Sequence, residues 1–340
     1  MRLQDCSLDI NLVAIHPVHR TEPEASWVEG RDSGTIPSSV FDLYSCASYL
    51  SFGTAPPFLA DDDKTLFTYF GMLLESLKDS LVEANDELGL FVSVQNHRYD
   101  PGKEARGEQW DPLAEEQSGR HFKYLLLSLH SALDALADVV AIFFTGRISR
   151  LCVGRAQFSR IETWLEEPVV RSSSEVTPQE HFLQELRSAL HPLVYPDSPE
   201  RDWLRLMRLF RNKATHLGRT AFRYWVLHDK AGQFYTFLPR QWPYFWEKHL
   251  RPADPSGPAG LESSAALLQK VLIQQDMITY AQGLRMKVHD VIASGALVLN
   301  AAYEQLKDCS LNILALAELK RNSEAYSFEC FGAEQSSDAG

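Results

Sequence analysis

Apolar residues recur every three or four positions along much of this chain, and that period predicts α-helices. One predicted helix follows three aspartates at 61–63, whose charges suit a helix start better than a metal site, and it runs to Leu81. The strongest helical pattern of the N-terminal half spans 121–144, and a shorter one spans 178–190. Residues 262–307 predict one long helix or a broken pair.

Other stretches lack this helical period. Residues 1–60 begin with a short alternating strand, and prolines and glycines then interrupt the pattern, which predicts an irregular extension. Residues 88–94 are predicted to form a strand. Residues 96–119 are polar and contain two prolines, so we expect an exposed loop there.

After Gly218 the pattern changes to one typical of strands. Aromatic and branched residues fill 222–227 and 233–238, and a short polar connection predicts a β-hairpin. The aromatic residues of 224–246 either pack this hairpin or stack RNA bases. Residues 251–260 are rich in proline and glycine and predict a linker. The predicted fold is thus mainly α: a helical bundle over 61–310 with a β-hairpin at 222–238, an irregular extension over 1–60, and a C-terminal segment and tail over 311–340.

Positive charge is concentrated in the segment 201–223, which carries a net +6 in a chain of net charge -12. A basic segment in an acidic protein is a candidate phosphate site. The acidic balance of the whole chain argues against broad, non-specific binding of nucleic acid. The basic residues are Arg201, Arg205, Arg208, Arg211, Lys213, Arg219 and Arg223.

Read as a helix, this segment separates an apolar from a polar face. Asn212 and His216 are four residues apart and should be neighbours, whereas Arg211 lies about 140° from His216 around an ideal helix. A loosened last turn before Gly218, the reach of the arginine, or an arginine from a second subunit would bring them together. The plainer interpretation is a solvated arginine surface, with the histidine near the last helical carbonyls.

The helix over 121–144 carries its own polar positions. His130, Asp134 and Asp138 are spaced by four residues and share a face. They either form a polar face that pairs with arginines of a neighbouring helix, or point into a site beside the basic segment. A metal site built from these three residues is a weaker alternative.

Several classes of protein lack support in the sequence. The five cysteines are scattered without metal-ligand spacing, which suits a reducing cytosol. There is no phosphate-binding loop, dinucleotide fingerprint or hydrolase nucleophile motif. The first 20 residues lack a signal peptide pattern, and the longest apolar run, 139–144, is too short to span a membrane. We therefore expect a cytoplasmic protein without metal or cofactor.

The order Arg211, Asn212, three residues, then His216 resembles the motif of the HEPN superfamily, helical ribonucleases and toxin-like domains of prokaryotic defence. The motif match covers 211–216, and the resemblance in architecture covers 61–310. This resemblance implies a helical bundle, usually dimeric, that cleaves RNA without a metal. It implies that His216 assists proton transfer, that Arg211 binds the scissile phosphate, and that Asn212 orients the histidine or the phosphate.

The resemblance leads to a first hypothesis, an endoribonuclease of antiviral defence or of a toxin–antitoxin system. RNA, a second copy of the chain and an antitoxin or defence protein are the expected partners. The six other basic residues of the segment 201–223 are the expected RNA contacts. The alternative is a non-catalytic helical protein of the same fold that binds a partner protein or RNA, because fold alone does not establish an enzyme.

Overall fold

In the computed structural model, the described residues are 25–52, 61–98, 112–144, 146–168, 177–197, 202–216, 225–228, 234–238, 273 and 275–306. They form a mainly α-helical bundle around one apolar core. The helices are α1 (Ala25–Asp32), α2 (Ser38–Phe52), α3 (Asp61–Arg98), α4 (Pro112–Phe144), α5 (Phe158–Glu166), α6 (Pro178–Val194), α7 (Trp203–His216) and α8 (Met277–Leu306).

Two long helices, α3 and α4, form the centre of the bundle. Phe91 packs on Phe122 with ring centroids 5.5 Å apart, and Phe70 packs on Phe143 at 5.7 Å. Early residues of one helix thus meet late residues of the other, so the pair is antiparallel. Both helices are longer than predicted, since α3 continues to Arg98 and α4 begins at Pro112.

The strand predicted for residues 88–94 was wrong. Phe91 is fully buried while the adjacent Leu90 is 49% exposed, and Ala84, seven residues before Phe91, is also fully buried. Burial at a spacing of seven follows a helix face, and the contact with α4 selects the helix. A similar correction applies to residues 112–119 of the predicted loop, because Pro112 is tolerated in the first turn of a helix.

The irregular extension predicted for residues 1–60 was wrong for residues 25–52, which form α1 and α2. Trp27 of α1 is fully buried, stacks on Tyr44 at 4.0 Å and donates to Glu75 of α3 at 2.9 Å. Gly30 allows the close approach, because a Cβ there would lie 2.3 Å from Ile36. Gly34 and Pro37 lie in the short turn that separates α1 from α2. The predicted strand at 8–12 lies outside the described residues.

Helix α5 was not predicted, whereas α6 was, and α6 extends four residues beyond the predicted end. Thr177 and Glu180 form a reciprocal capping box at its start. Helix α5 is only nine residues long and has no capping side chain of its own at Gln157. A helix this short is marginal in isolation and depends on tertiary contacts.

Helices α7 and α8 complete the bundle. Phe210 of α7 meets Tyr280 of α8 edge to face at 6.2 Å, and Trp203 donates to the carbonyl of Leu193 at 3.1 Å. Gly295 is a close-packing point of α8, since a Cβ there would lie 3.3 Å from Leu136. The described part of α8 is one helix; the predicted linker at 251–260 lies outside the described residues.

Two short strands, β1 (Trp225–His228) and β2 (Phe234–Phe237), pair antiparallel, with Trp225 opposite Phe237 and His228 opposite Phe234. Leu238, the residue after β2, accepts a hydrogen bond at 2.8 Å from the N–H of Ile273, which lies four residues before α8. The strands therefore lie beside the N-terminal end of α8.

One described helix, the stretch Glu116–Phe144 of α4, is long and apolar enough to cross a membrane by length and composition. Most of its apolar window, 72%, is buried inside the bundle. The core helices of soluble proteins meet the same two criteria, so this stretch is weak support for a membrane span.

Candidate functional site

Arg211 lies in the second half of α7, where this helix packs on α4. Its guanidinium donates through Nε and Nη2 to Asn212 Oδ1, at 3.1 and 2.8 Å. Nη1 lies 2.9 Å from Nδ1 of His130 on α4. The arginine of the motif is thus held by its predicted polar neighbour and by a histidine outside the motif.

His130 connects this arginine to a carboxylate. Its Nδ1 lies 3.1 Å from Oδ2 of Asp134, one turn further along α4, and the His130 side chain is only 14% exposed. The structure places His130 and Asp134 beside the basic helix, where His130 contacts Arg211. The sequence spacing placed these two residues on one face, but it did not identify Arg211 as their neighbour.

Arg208, one turn before Arg211, forms an ion pair with Glu162 of α5. Glu162 is largely buried, with 13% of its side chain exposed, and 32% of the Arg208 side chain is exposed. Burial lowers the pKa of Arg208, the nearby Arg211 charge lowers it further, and Asp134 acts in the opposite direction. Arg208 therefore serves to dock α7 on α5 in this structure.

Asp134 and Asp138 hold the segment that leads into α5. Asp134 Oδ1 accepts from the backbone N–H of Phe158 at 2.9 Å. Asp138 Oδ1 accepts from the N–H groups of Gly154 and Ala156, at 2.9 and 3.1 Å. Two carboxylates of α4 therefore fix the residues just before α5 and the first residue of that helix.

Burial raises the pKa of Asp138 to about 6, and the nearby Asp134 charge adds to this, although the two backbone N–H donors act to lower it. Burial also raises the pKa of Tyr69 on α3 to about 12, with Asp138 again adding to the shift. Desolvation is thus the largest cause of both pKa shifts, because the charged forms of Asp138 and Tyr69 lose hydration when buried.

The other end of α5 is held by Arg187 of α6, which donates to the carbonyls of Leu165 and Glu167 and lies over the ring of Trp164. A groove of about 710 Å³ opens here between α5 and α6. None of the predicted site residues lines it. Its wall carries Glu166, Glu167 and Arg187, and Arg187 is engaged with the carbonyls of Leu165 and Glu167.

The remaining predicted residues fall into two groups. Asn212 is exposed, and Arg205 is exposed and paired with Asp202 at 2.7 Å. His216 is the last residue of α7, and its backbone is helical, so the loosened last turn is not observed. The side chains of Lys213 and His216 lie outside the described part, as do Arg201, Arg219, Arg223 and the aromatic side chains of 224–246.

The metal hypothesis for His130, Asp134 and Asp138 receives no geometric support. Within the described ranges, no group of three or more histidine, cysteine, aspartate or glutamate side chains is placed to hold a metal ion. Both aspartates instead accept backbone N–H groups at the start of α5. These two carboxylates therefore hold the start of α5 beside the candidate site.

The arrangement offers a guanidinium of fixed orientation, an adjacent imidazole and an exposed amide, which are groups suited to binding a phosphate ester. Comparison of this chain with family models, with curated proteins and with solved structures finds no match.

Proposed function

We propose that this chain is a metal-independent endoribonuclease of HEPN type that acts in prokaryotic antiviral defence or in a toxin–antitoxin system. In this proposal the helical bundle is HEPN-like, with the strand pair at 225–237 as an insertion. Arg211 binds the scissile phosphate and stabilises its developing charge. His216 moves a proton at the ribose 2′-hydroxyl or at the leaving oxygen.

The single observation that carries the proposal is the pose of Arg211. Asn212 Oδ1 accepts from two nitrogens of the guanidinium, so the polar residue of the motif orients the arginine. A planar guanidinium recognises phosphate through paired N–H donors, and that recognition depends on its orientation. Orientation of one charged group supports phosphate chemistry more directly than basic charge alone.

The helical backbone through His216 also bears on the oligomeric state. With the last turn regular, His216 and Arg211 are about 140° apart around α7. A second copy of the chain could supply the other member of the pair, and this supports a homodimer with two motifs facing one another. We place the active protein in the cytoplasm, with an antitoxin or another defence protein as its further partner.

The decisive experiment compares RNA cleavage by the wild type with cleavage by Arg211→Ala and by His216→Ala. A positioned acid or base contributes roughly 10²–10⁴-fold, and a donor that stabilises developing charge contributes roughly 10²–10³-fold, so each variant should lose at least about a hundredfold in rate. His181→Ala is the matched control, because His181 is 59% exposed on α6 and, among the described residues, its ion pair is with Glu185 of the same helix. Circular dichroism of each variant should match the wild type.

Two further readouts identify the mechanism. Products should end in a 2′,3′-cyclic phosphate, because internal attack by the ribose hydroxyl generates that group, and EDTA should leave the rate unchanged. Loss of cleavage in EDTA, or full activity in both alanine variants, would rule out the proposed mechanism.

The alternative is a non-catalytic helical protein that binds a partner protein or RNA. The pairing of Arg208 with Glu162 favours it, because part of the basic charge of α7 is neutralised inside the bundle. In this case purified protein leaves every RNA intact, alone and with its companion protein, yet binds one of them. Size-exclusion chromatography with the companion protein distinguishes that outcome from an inactive enzyme preparation.

A further inference from the structure

A histidine outside the motif contacts the proposed phosphate-binding arginine. His130 comes from α4, 81 residues earlier in the chain, and its Nδ1 lies 2.9 Å from Nη1 of Arg211. The His130 side chain is largely buried between the two helices, so its ring has little freedom to turn away.

Two side chains on two helices set the plane of the Arg211 guanidinium. Asn212 engages Nε and Nη2 along one edge, and His130 engages Nη1. These contacts account for three of the five N–H donors of an arginine. Because both edges are fixed, rotation of the plane about the side-chain axis is restricted.

The hydrogen bond to Arg211 determines which ring nitrogen of His130 carries the hydrogen. A guanidinium only donates, so Nδ1 must accept, and the hydrogen of a neutral ring then sits on Nε2. Asp134 Oδ2 is 3.1 Å from the same Nδ1. A hydrogen on Nδ1 would be donated to this oxygen, but Nδ1 could then not accept from Arg211, so the two contacts call for opposite tautomers. The negative charge of Asp134 also acts on Arg208.

We propose that His130 is a positioning residue for the reaction: as the Nε2–H tautomer it accepts from Arg211 and aims the guanidinium at the phosphate. This assignment rests on the proposed ribonuclease function. His130 does not touch the RNA; it acts through Arg211.

Two substitutions separate this role from simple packing. In His130→Asn the Oδ1 atom is attached to Cγ, as Nδ1 is in histidine, so the acceptor is retained. His130→Leu fills similar space without an acceptor. We expect His130→Asn to keep kcat within about threefold of the wild type. We expect His130→Leu to lose about tenfold to a hundredfold, the effect of removing one hydrogen bond to a charged group.

A packing role predicts the opposite order, because leucine fills an apolar contact better than asparagine. Thermal unfolding of both variants should stay close to that of the wild type, and RNA made uncleavable by 2′-O-methyl groups should bind both variants within about threefold. Full activity in His130→Leu, or equal loss in both variants, would overturn the positioning role.

A spectroscopic test is independent of activity. The ¹⁵N shift of His130 Nδ1 should be that of an unprotonated ring nitrogen that accepts a hydrogen bond, and it should move in Arg211→Ala but not in the control Arg120→Ala, an exposed arginine on α4. Protonated Nδ1 in the wild type would refute the assignment. If the wild type neither binds nor cleaves RNA, the ribonuclease proposal fails, and the ring shifts alone then decide whether His130 holds Arg211.

Discussion

Asp134 on α4 accepts a hydrogen bond from the backbone N–H of Phe158, the first residue of α5, at 2.9 Å. The residue that precedes α5, Gln157, gives no side-chain cap. The helix therefore takes its N-terminal cap from a distant helix, and the negative charge there also suits the positive end of the helix dipole. Because the second oxygen of Asp134 lies beside His130, one carboxylate serves both the fold and the candidate site.

Replacing Asp134 with alanine should lower the free energy of unfolding by about 1–2 kcal/mol, the typical cost of losing a helix cap. Urea denaturation followed by circular dichroism measures this change. Asp134→Asn is the matched control, because its Oδ1 can still accept from Phe158, and it should lose less than half as much. Equal losses would mean that the charge, and not the hydrogen bond, stabilises α5.

The contrast between α5 and α6 shows what the sequence could predict. Helix α6 has its cap, its proline start and its apolar period in one continuous segment, so the pattern identified it. Helix α5 has nine residues, and both its ends are satisfied by side chains from α4 and α6. No local pattern contains those partners, and the same holds for the contact of His130 with Arg211 across 81 residues.

The candidate site was predictable only where its residues share one helix. Arg211 and Asn212 are consecutive residues of α7, and the spacing of four in α4 predicted that His130 lies beside Asp134. The packing of the apolar core determines which face of α7 meets which face of α4. The sequence of one helix alone does not contain this information. Arg208 illustrates this, because the sequence predicted an RNA contact or a solvated arginine there, whereas in the structure it forms an ion pair with Glu162 of α5.

Asp138→Asn should remove a pH dependence of stability. Burial raises the pKa of Asp138 from its ordinary value of 3.8 to about 6 in the folded state, so between these values the folded state binds more protons than the unfolded state. The stability that this protonated carboxyl gives is fully present below about pH 4 and is lost as the pH rises through 6. Asparagine keeps the acceptor for Gly154 and Ala156 without the buried charge.

We therefore expect wild type and Asp138→Asn to unfold at similar urea concentrations near pH 4. At pH 7 the variant should be more stable by on the order of 1–2 kcal/mol, a value reduced for the partial exposure of the group. Urea titrations at four pH values between 4 and 7 measure the difference. A gap that stays constant across this range would show that the carboxyl does not titrate differently on folding.

Glu162→Gln should release Arg208 from its ion pair. Loss of the negative charge raises the positive potential of α7, and the released Arg208 can contact one more phosphate. Single-stranded RNA should therefore bind about two- to tenfold more tightly at low salt. Each added contact steepens the dependence of log Kd on log salt concentration by about 0.7 for single strands. Fluorescence anisotropy at several salt concentrations measures both quantities. Unchanged affinity and slope would show that Arg208 does not reach RNA even when released.

Two glycines of α8 give a paired test of packing. Among the described residues, a Cβ at Gly283 would meet Gln275 Oε1 at 4.0 Å, whereas a Cβ at Gly295 would lie 3.3 Å from both Leu136 methyls and 3.7 Å from Leu190. Alanine gains about 0.5–1 kcal/mol over glycine in a helix, so Gly283→Ala should stabilise the fold by that amount. Gly295→Ala should gain less, because Leu136 must move by a few tenths of an ångström.

Larger side chains should widen this difference. Gly295→Val should cost about 1–3 kcal/mol more than Gly283→Val, because overpacking forces shifts in the leucines of α4 and α6, while the cost of a β-branched residue in a helix is common to both variants. Thermal and urea unfolding of the four variants give the comparison. If the two valine variants were equally stable, α8 would not approach α4 and α6 as closely at Gly295 as the structure places it.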